Sequence, residues 1–242
     1  MPSAFVTLVT SDPYVEGAIT LAHSLRTVHS IHDTIVLVPA INAISALPLA
    51  RLYRAFHKVV YVDILRSGSA PSDDINLGLL NRPELDITYT KLHVFNPHIL
   101  PSYDKICFLD ADTLVLKNVD HLFGVLNRVD FAASPDVGWP DIFNSGVFLA
   151  RPNKEVYEAL MWDALYSGSF DGGDQGLLNS FFDTWAGNET LNYVALGREA
   201  TSSGSGPRPY CCPDKKRTGR LPFIYNVTPS AVYSYLVRRS GR

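Results

Sequence analysis

Three short β-rich apolar runs, Ala4–Val9, Thr34–Pro39 and Val59–Leu65, are separated by two segments with helical spacing. Strands that alternate with helices can pair in parallel through crossover connections, so the chain is read as α/β. The first helix follows "TSDPYVEG". Asp12 has N-cap chemistry, Pro13 suits a first helical position, and Val15, Ile19, Ala22 and Leu25 keep the helical period to about His29. The second helix is predicted over Ala46–Lys58. Further along, Ile87–Leu100, Asn153–Tyr166 and Gln175–Trp185 read as helical. Lys105–Asp110, Phe131–Ala133 and Val147–Ala150 read as strands. The 242 residues suit one large domain or two small ones, and 46% hydrophobic residues supply a substantial core.

Several function classes fall away on composition. A net charge of −3 does not attract nucleic acid or an anionic membrane. No apolar stretch approaches the roughly 20 residues that cross a bilayer, and the first residues lack the basic start and apolar run of a secretory signal. Cys107 lies in an apolar strand, and the neighbours Cys211 and Cys212 have no zinc spacing, which fits a reducing, cytoplasmic setting. Asn188 and Asn226 begin glycosylation-type triplets, read here as coincidental. Residues 187–219 are rich in Gly, Ser, Pro and basic residues and read as a disordered insertion.

"CFLDADTLVL" carries Asp110 and Asp112 at the end of a buried-type strand. A bare carboxylate costs several kcal/mol or more to bury, so such groups are paired, hydrogen-bonded or metal-bound. In an extended chain the two point the same way, with Ala111 turned aside. The C-terminal edge of an open α/β sheet is where ligands bind. Two adjacent carboxylates repel unless a cation holds them, and oxygen-only ligands point to Mg²⁺ or Mn²⁺ assisting loss of a diphosphate. The alternative is that Asp110 caps a turn and Asp112 pairs with a surface lysine.

Asn144, Ser145 and Gly146 in "FNSGVF" offer hydroxyl-reading groups before a strand, or an ordinary turn. In "SFDGGDQGLLN", Asp171 and Asp174 flank two glycines and lead into a helix. Asp174 has N-cap chemistry, but two carboxylates exceed what capping needs and can stabilise an oxocarbenium-like centre, with Gln175 orienting a substrate. Lys91 and Arg82 are either phosphate clamps or solvated charges. Tyr14 either stacks on a nucleotide base or packs in the core.

Taken together, "AFVTLVTSDPYVEGA", "RPELDITYTKLH", "FLDADTLVL", "SPDVGWPDIFNSGVFL", "GSFDGGDQGLLNSFF" and "LPFIYNVTPSAVYSYL" resemble the glycogenin group of glycosyltransferase family 8, in the same order. The resemblance implies a GT-A fold, a Rossmann-like nucleotide-sugar domain on a mixed, mostly parallel sheet. It implies a retaining glucosyltransferase that uses UDP-glucose and Mn²⁺, glucosylates its own tyrosine, extends an α-1,4-glucan, forms a homodimer and partners glycogen synthase. By position, Leu8, Thr10, Ser11, Tyr14 and Arg82 would surround the uridine. Lys91 would meet the diphosphate or sugar, Asp110 and Asp112 would hold the metal, and Ala111 between them would belong to the donor-binding residues. Asn144, Ser145, Asp171, Asp174 and Gln175 would line the glucose, with Asp174 as nucleophile or ion-pair stabiliser. Tyr233 falls at the self-glucosylated position.

Ser11 stands where the group usually has Asn, and the 187–219 insertion is longer than its counterpart. The group also continues to a stretch resembling H-F-x-G-x-x-K-P-W, which brings a third metal ligand and a phosphate-binding Lys. Here the last histidine is His121, so the sequence reads as shortened at its C-terminus, with activity expected to be impaired.

Overall fold

The computed structural model of the chain describes residues 2–40, 43–68, 78, 83–185 and 217–228. The expected sites at Arg82 and Tyr233, and the cysteines 211 and 212, lie outside the described residues. Among the described residues, seven strands form one sheet: β1 Ser3–Leu8, β2 Asp33–Pro39, β3 Lys58–Val62, β4 Lys105–Leu109, β5 Phe131–Pro135, β6 Phe143–Ala150 and β7 Thr218–Arg220. Their spatial order is β3-β2-β1-β4-β6-β5-β7. The β1–β2, β2–β3, β1–β4 and β5–β7 pairs are parallel, and β6 runs antiparallel to both β4 and β5. The sheet is therefore mixed and mostly parallel, as the strand and helix alternation requires.

Among the described residues, four α-helices flank it: α1 Val15–Thr27, α2 Ala46–Ala55, α3 Lys154–Tyr166 and α4 Asp174–Phe181. Alternation along β4 separates two cores. Ile106 and Phe108 face one core, with Tyr89, Phe95, Leu160 and Leu177. Cys107 and Leu109 face the other, with Leu21 and Leu25 of α1 and Leu122 and Leu126. β2 continues that division, Ile35 and Leu37 against Val36 and Val38. Among the described residues no helix is long and apolar enough to cross a membrane.

Several boundaries differ from the sequence expectation, each for a local reason. The helix expected over Ile87–Leu100 is a 3₁₀ segment, Pro83–Phe95. Ile87, Thr88 and Thr90 crowd it with β-branched side chains, and the Thr88 hydroxyl donates to the Leu85 carbonyl at 2.6 Å. α2 stops at Ala55 because the His57 N–H turns to the Thr34 carbonyl and Lys58 begins β3. Asp12 does not cap α1. Its carboxylate accepts from the Ser45 N–H and hydroxyl, at 2.8 and 2.5 Å, and so fastens the start of α2 to the β1–α1 connection. Of the expected 187–219 insertion, all but its last residues lie outside the described residues, and Thr218 and Gly219 pair with β5 in β7.

Candidate active site

β1 and β4 run parallel and β6 runs against them. The end of β1, the end of β4 and the start of β6 therefore share one edge of the sheet. Leu8 ends β1 at that edge, Thr10, Ser11 and Tyr14 follow it, and Asp110 lies there after β4. Tyr14 is half exposed, which removes core packing as its role.

The Asp110–Asp112 stretch is not extended, as the sequence reading had it. β4 ends at Leu109, and the Thr113 N–H and hydroxyl both donate to the Asp110 carbonyl, at 3.0 and 2.7 Å, closing a turn. Ala111 is buried at the tip of this turn against α1. A Cβ on Gly17 would stand 2.5 Å from the Ala111 carbonyl oxygen, so only glycine lets helix and turn come this close. Asp112 is exposed, and its charge reaches the Asp110 carboxyl.

Lys91, carried by the 3₁₀ segment, joins the two acidic elements. Its ammonium lies 3.1 Å from Asp110 Oδ1 and 2.8 Å from Asp174 Oδ2. It also donates to the Ser145 carbonyl at 3.3 Å and stands 4.9 Å from the centre of the Phe108 ring. At 5% exposure it is not the solvated charge that a lone lysine usually is. Burial alone would pull its pKa down. The Asp110 and Asp174 carboxylates overturn that and hold it well above the usual lysine range. For Asp110, burial is the leading cause of a raised pKa. Lys91 opposes it, and the Asp174 and Asp112 charges add to it.

The "SFDGGDQG" segment divides labour between its two aspartates. Asp171 Oδ1 accepts from the Ser169 hydroxyl and from the N–H groups of Gly173 and Gly176, at 2.6, 2.9 and 3.0 Å. It thus caps α4 from three residues ahead of the helix. A Cβ on Gly176 would lie 2.5 Å from that oxygen and 2.3 Å from the Ser169 hydroxyl. Asp174, the first residue of α4, is 5% exposed, and its N–H donates to Thr88 Oγ1 at 3.0 Å. Its Oδ2 faces the Lys91 ammonium without an aligned hydrogen bond.

Asn144, Ser145 and Gly146 lie inside β6, where the sequence reading put them before a strand. The strand starts earlier because Asn179 holds Phe143 through both its N–H and its carbonyl, at 3.0 and 2.9 Å. Asn144 Oδ1 accepts from the Gly146 N–H and from Asn226 Nδ2. The space that Gly146 leaves is taken by Asn144 Oδ1 and Asp110 Oδ2, at 2.9 and 3.1 Å from an added Cβ. Gln175 spans the wall: its Oε1 accepts from the Ser145 N–H and its Nε2 donates to Asp136 Oδ2. Lys91, Asp110, Asp174 and Ser145 thus meet directly, while Asp171, Gln175 and Asn144 hold the backbone around them. Sequence reasoning missed Thr88, Asp136, Gly17 and Asn226. No spacing rule marks these contacts in the sequence.

Asp110 and Asp112 are the residues at this edge that could hold a metal ion. Among the described residues no group of three or more acidic, histidine or cysteine side chains is arranged to hold a metal ion. Burial first, and then the Asp174 and Asp112 charges, work against an ionised Asp110, and a hard divalent cation would relieve both.

Known proteins resemble the chain in sequence and in fold. The chain is 43% identical over 235 residues to glycogenin-1 of Caenorhabditis elegans, covering 97% of this chain and 46% of that protein. It is 41% identical over 233 residues to human glycogenin-1, covering 96% and 55%. The chain spans about half the length of these relatives. Its fold matches the Streptococcus pneumoniae glycosyltransferase GlyE, with a TM-score of 0.59, 17% identity and coverage of 100% and 50%. It also matches the galactosyltransferase LgtC solved with donor and acceptor sugar analogues, with a TM-score of 0.54, 22% identity and coverage of 74% and 70%. The architecture is that of a GT-A glycosyltransferase. Residues 5–235 match the model of Glycosyl transferase family 8, and with the relatives' identity this establishes that the chain belongs to that family.

Proposed function

We propose that the chain is a glycogenin-type glucosyltransferase that moves glucose from UDP-glucose to Tyr233 and then extends an α-1,4-glucan, with configuration retained. The observation that carries this reading is the buried Lys91 ammonium held between Asp110 at the sheet edge and Asp174 at the start of α4. It joins a phosphate-facing element to a sugar-facing one in a chain whose relatives are named glycogenins.

In this reading, Leu8, Thr10, Ser11 and Tyr14 at the end of β1, with Arg82, receive the uridine. Asp110 and Asp112 hold Mn²⁺, which when bound neutralises charge on the diphosphate leaving group. Lys91 adds a fixed positive charge at the point where the bond to the diphosphate lengthens. Asp174, held 2.8 Å from the Lys91 ammonium, is assigned to the anomeric carbon, either as nucleophile or as ion-pair stabiliser. Asn144, Ser145, Asp171 and Gln175 complete the glucose side. A homodimer would let one chain's Tyr233 enter the other's site. Association with glycogen synthase and a cytoplasmic location belong to the same reading.

The test is mass spectrometry of the protein incubated with UDP-glucose and Mn²⁺. A ladder of hexose additions on the peptide containing Tyr233 is expected. Hexose on no residue, or on a residue other than Tyr233, would overturn the assignment.

A further inference from the structure

We propose that Asn226 is a positioning residue for the donor sugar: it fixes the Asn144 amide with its oxygen against Gly146 and its nitrogen left to donate to a sugar hydroxyl. This rests on the UDP-glucose reading above and adds to it a residue that acts only through Asn144.

The orientation follows from one group that cannot reverse. A backbone N–H only donates, so the Gly146 N–H, 2.9 Å away, requires oxygen at the near end of the Asn144 amide. The Asn226 amide meets the same oxygen at 2.8 Å and must therefore present its nitrogen. Two donors share Asn144 Oδ1, which places Nδ2 at the other end of the amide. Among the described residues no acceptor takes it. Without Asn226 the amide would keep a single tie, to Gly146.

The pair stands at the transfer site. Asn144 and Gly146 flank Ser145, whose carbonyl takes the Lys91 ammonium and whose N–H donates to Gln175. Asn144 Oδ1, Asp110 Oδ2 and Asn226 Nδ2 gather over Gly146, at 2.9, 3.1 and 3.7 Å from an added Cβ. Asn226 thus lies beside both the acidic turn and β6.

Its own place is braced. Asn226 follows the 3₁₀ turn Phe223–Tyr225, and its N–H donates to the Phe223 carbonyl at 3.0 Å. The Leu221 N–H donates to the Ala133 carbonyl at 2.9 Å, and the Ser134 hydroxyl donates to the Pro222 carbonyl at 3.2 Å. The Tyr225 hydroxyl hydrogen-bonds His121 Nε2 at 2.8 Å. A side chain on such a support loses little further freedom when a ligand binds.

The experiment measures UDP and UDP-glucose affinity by calorimetry, each with Mn²⁺, for the full chain and for Asn226→Ala and Asn226→Asp. All three carry Tyr233→Phe, so that self-transfer does not consume the donor. UDP reports the nucleotide and metal side and shows that each variant is folded, so the ratio of UDP-glucose to UDP affinity isolates the sugar. Asp matches Asn in size, but its carboxylate sets an acceptor against Asn144 Oδ1. Turning the Asn144 amide to suit it would bring Nδ2 against the Gly146 N–H, so one bond is lost either way. The ratio should fall about fivefold in Asn226→Ala and about tenfold or more in Asn226→Asp. A space-filling role gives the reverse order. An unchanged ratio, or a loss in Asn226→Asp no greater than in Asn226→Ala, would overturn the inference and leave the donor reading standing. A parent chain that binds neither nucleotide would overturn the donor reading and the inference with it.

Discussion

Asp171 caps the helix that Asp174 begins. One oxygen of Asp171 takes the N–H groups of Gly173 and Gly176, which leaves the Asp174 carboxylate free to meet Lys91 rather than its own helix. Two acidic residues three apart before a helix look interchangeable as caps. The backbone turn through Gly172, at a φ of 74°, decides between them.

Replacing Asp171 by Ala removes an acceptor from three donors, and the protein should lose about 1–2 kcal/mol of stability. Asp171→Asn keeps the Oδ1 acceptor and should lose less than half of that. Urea unfolding of the two variants measures the split. Equal losses would show that charge on Asp171, and not its geometry, holds the loop.

Lys91 separates structural from chemical roles. Lys91→Met leaves Asp174 buried without its counter-charge and should destabilise the fold by about 3–5 kcal/mol. Adding Asp174→Asn removes the stranded charge and should recover much of the loss, because an uncharged buried pair costs less than a broken one. Glucosyl transfer should stay absent in both. Recovery of transfer along with stability would mean that the pair only braces the site.

The sequence made the sheet edge legible because its signals are local. The apolar run ending at Asp110 and the alternation of Ile106 and Phe108 with Cys107 and Leu109 both follow from strand geometry, and the two cores reproduce that alternation. What it hid depends on partners far along the chain. Asp12 looks like a cap for α1, but Ser45, 33 residues away, claims both its oxygens. Gln175 serves as a strut only because Asp136 and Ser145 come within reach across the sheet edge. The 3₁₀ segment reads as an α-helix by spacing, and the β-branched residues that tighten it are a weak signal beside that period.

Gly17→Ala tests how the acidic turn is positioned. Alanine gains about 1 kcal/mol of helix propensity, but its Cβ would stand 2.5 Å from the Ala111 carbonyl oxygen, with backbone on both sides of the clash. Overpacking of this kind costs about 1–3 kcal/mol and should win. The turn should move off α1, and Mn²⁺-dependent UDP-glucose affinity should drop. A variant as stable as wild type with full affinity would show that the turn is free to adjust.

Asp120 sets an acid limit on the fold. It links the α1–β2 connection to the stretch after the acidic turn, accepting from the Ser30 hydroxyl, the Ile31 N–H and Asn118 Nδ2, at 2.7, 3.1 and 3.2 Å. Burial pushes its pKa up, but the hydrogen bonds from Ser30, Ile31 and Asn118 outweigh that and hold it below the usual carboxylate value. A lowered folded-state pKa means that the unfolded chain binds the proton more readily. The stabilisation is therefore present above the unfolded-state pKa of about 4 and is lost as pH falls through the folded-state value. Asp120→Asn should cost about 1–2 kcal/mol at pH 7 and much less at pH 2. Urea midpoints for both proteins at the two pH values measure this. A wild-type advantage that stays constant down to pH 2 would remove Asp120 from the acid response.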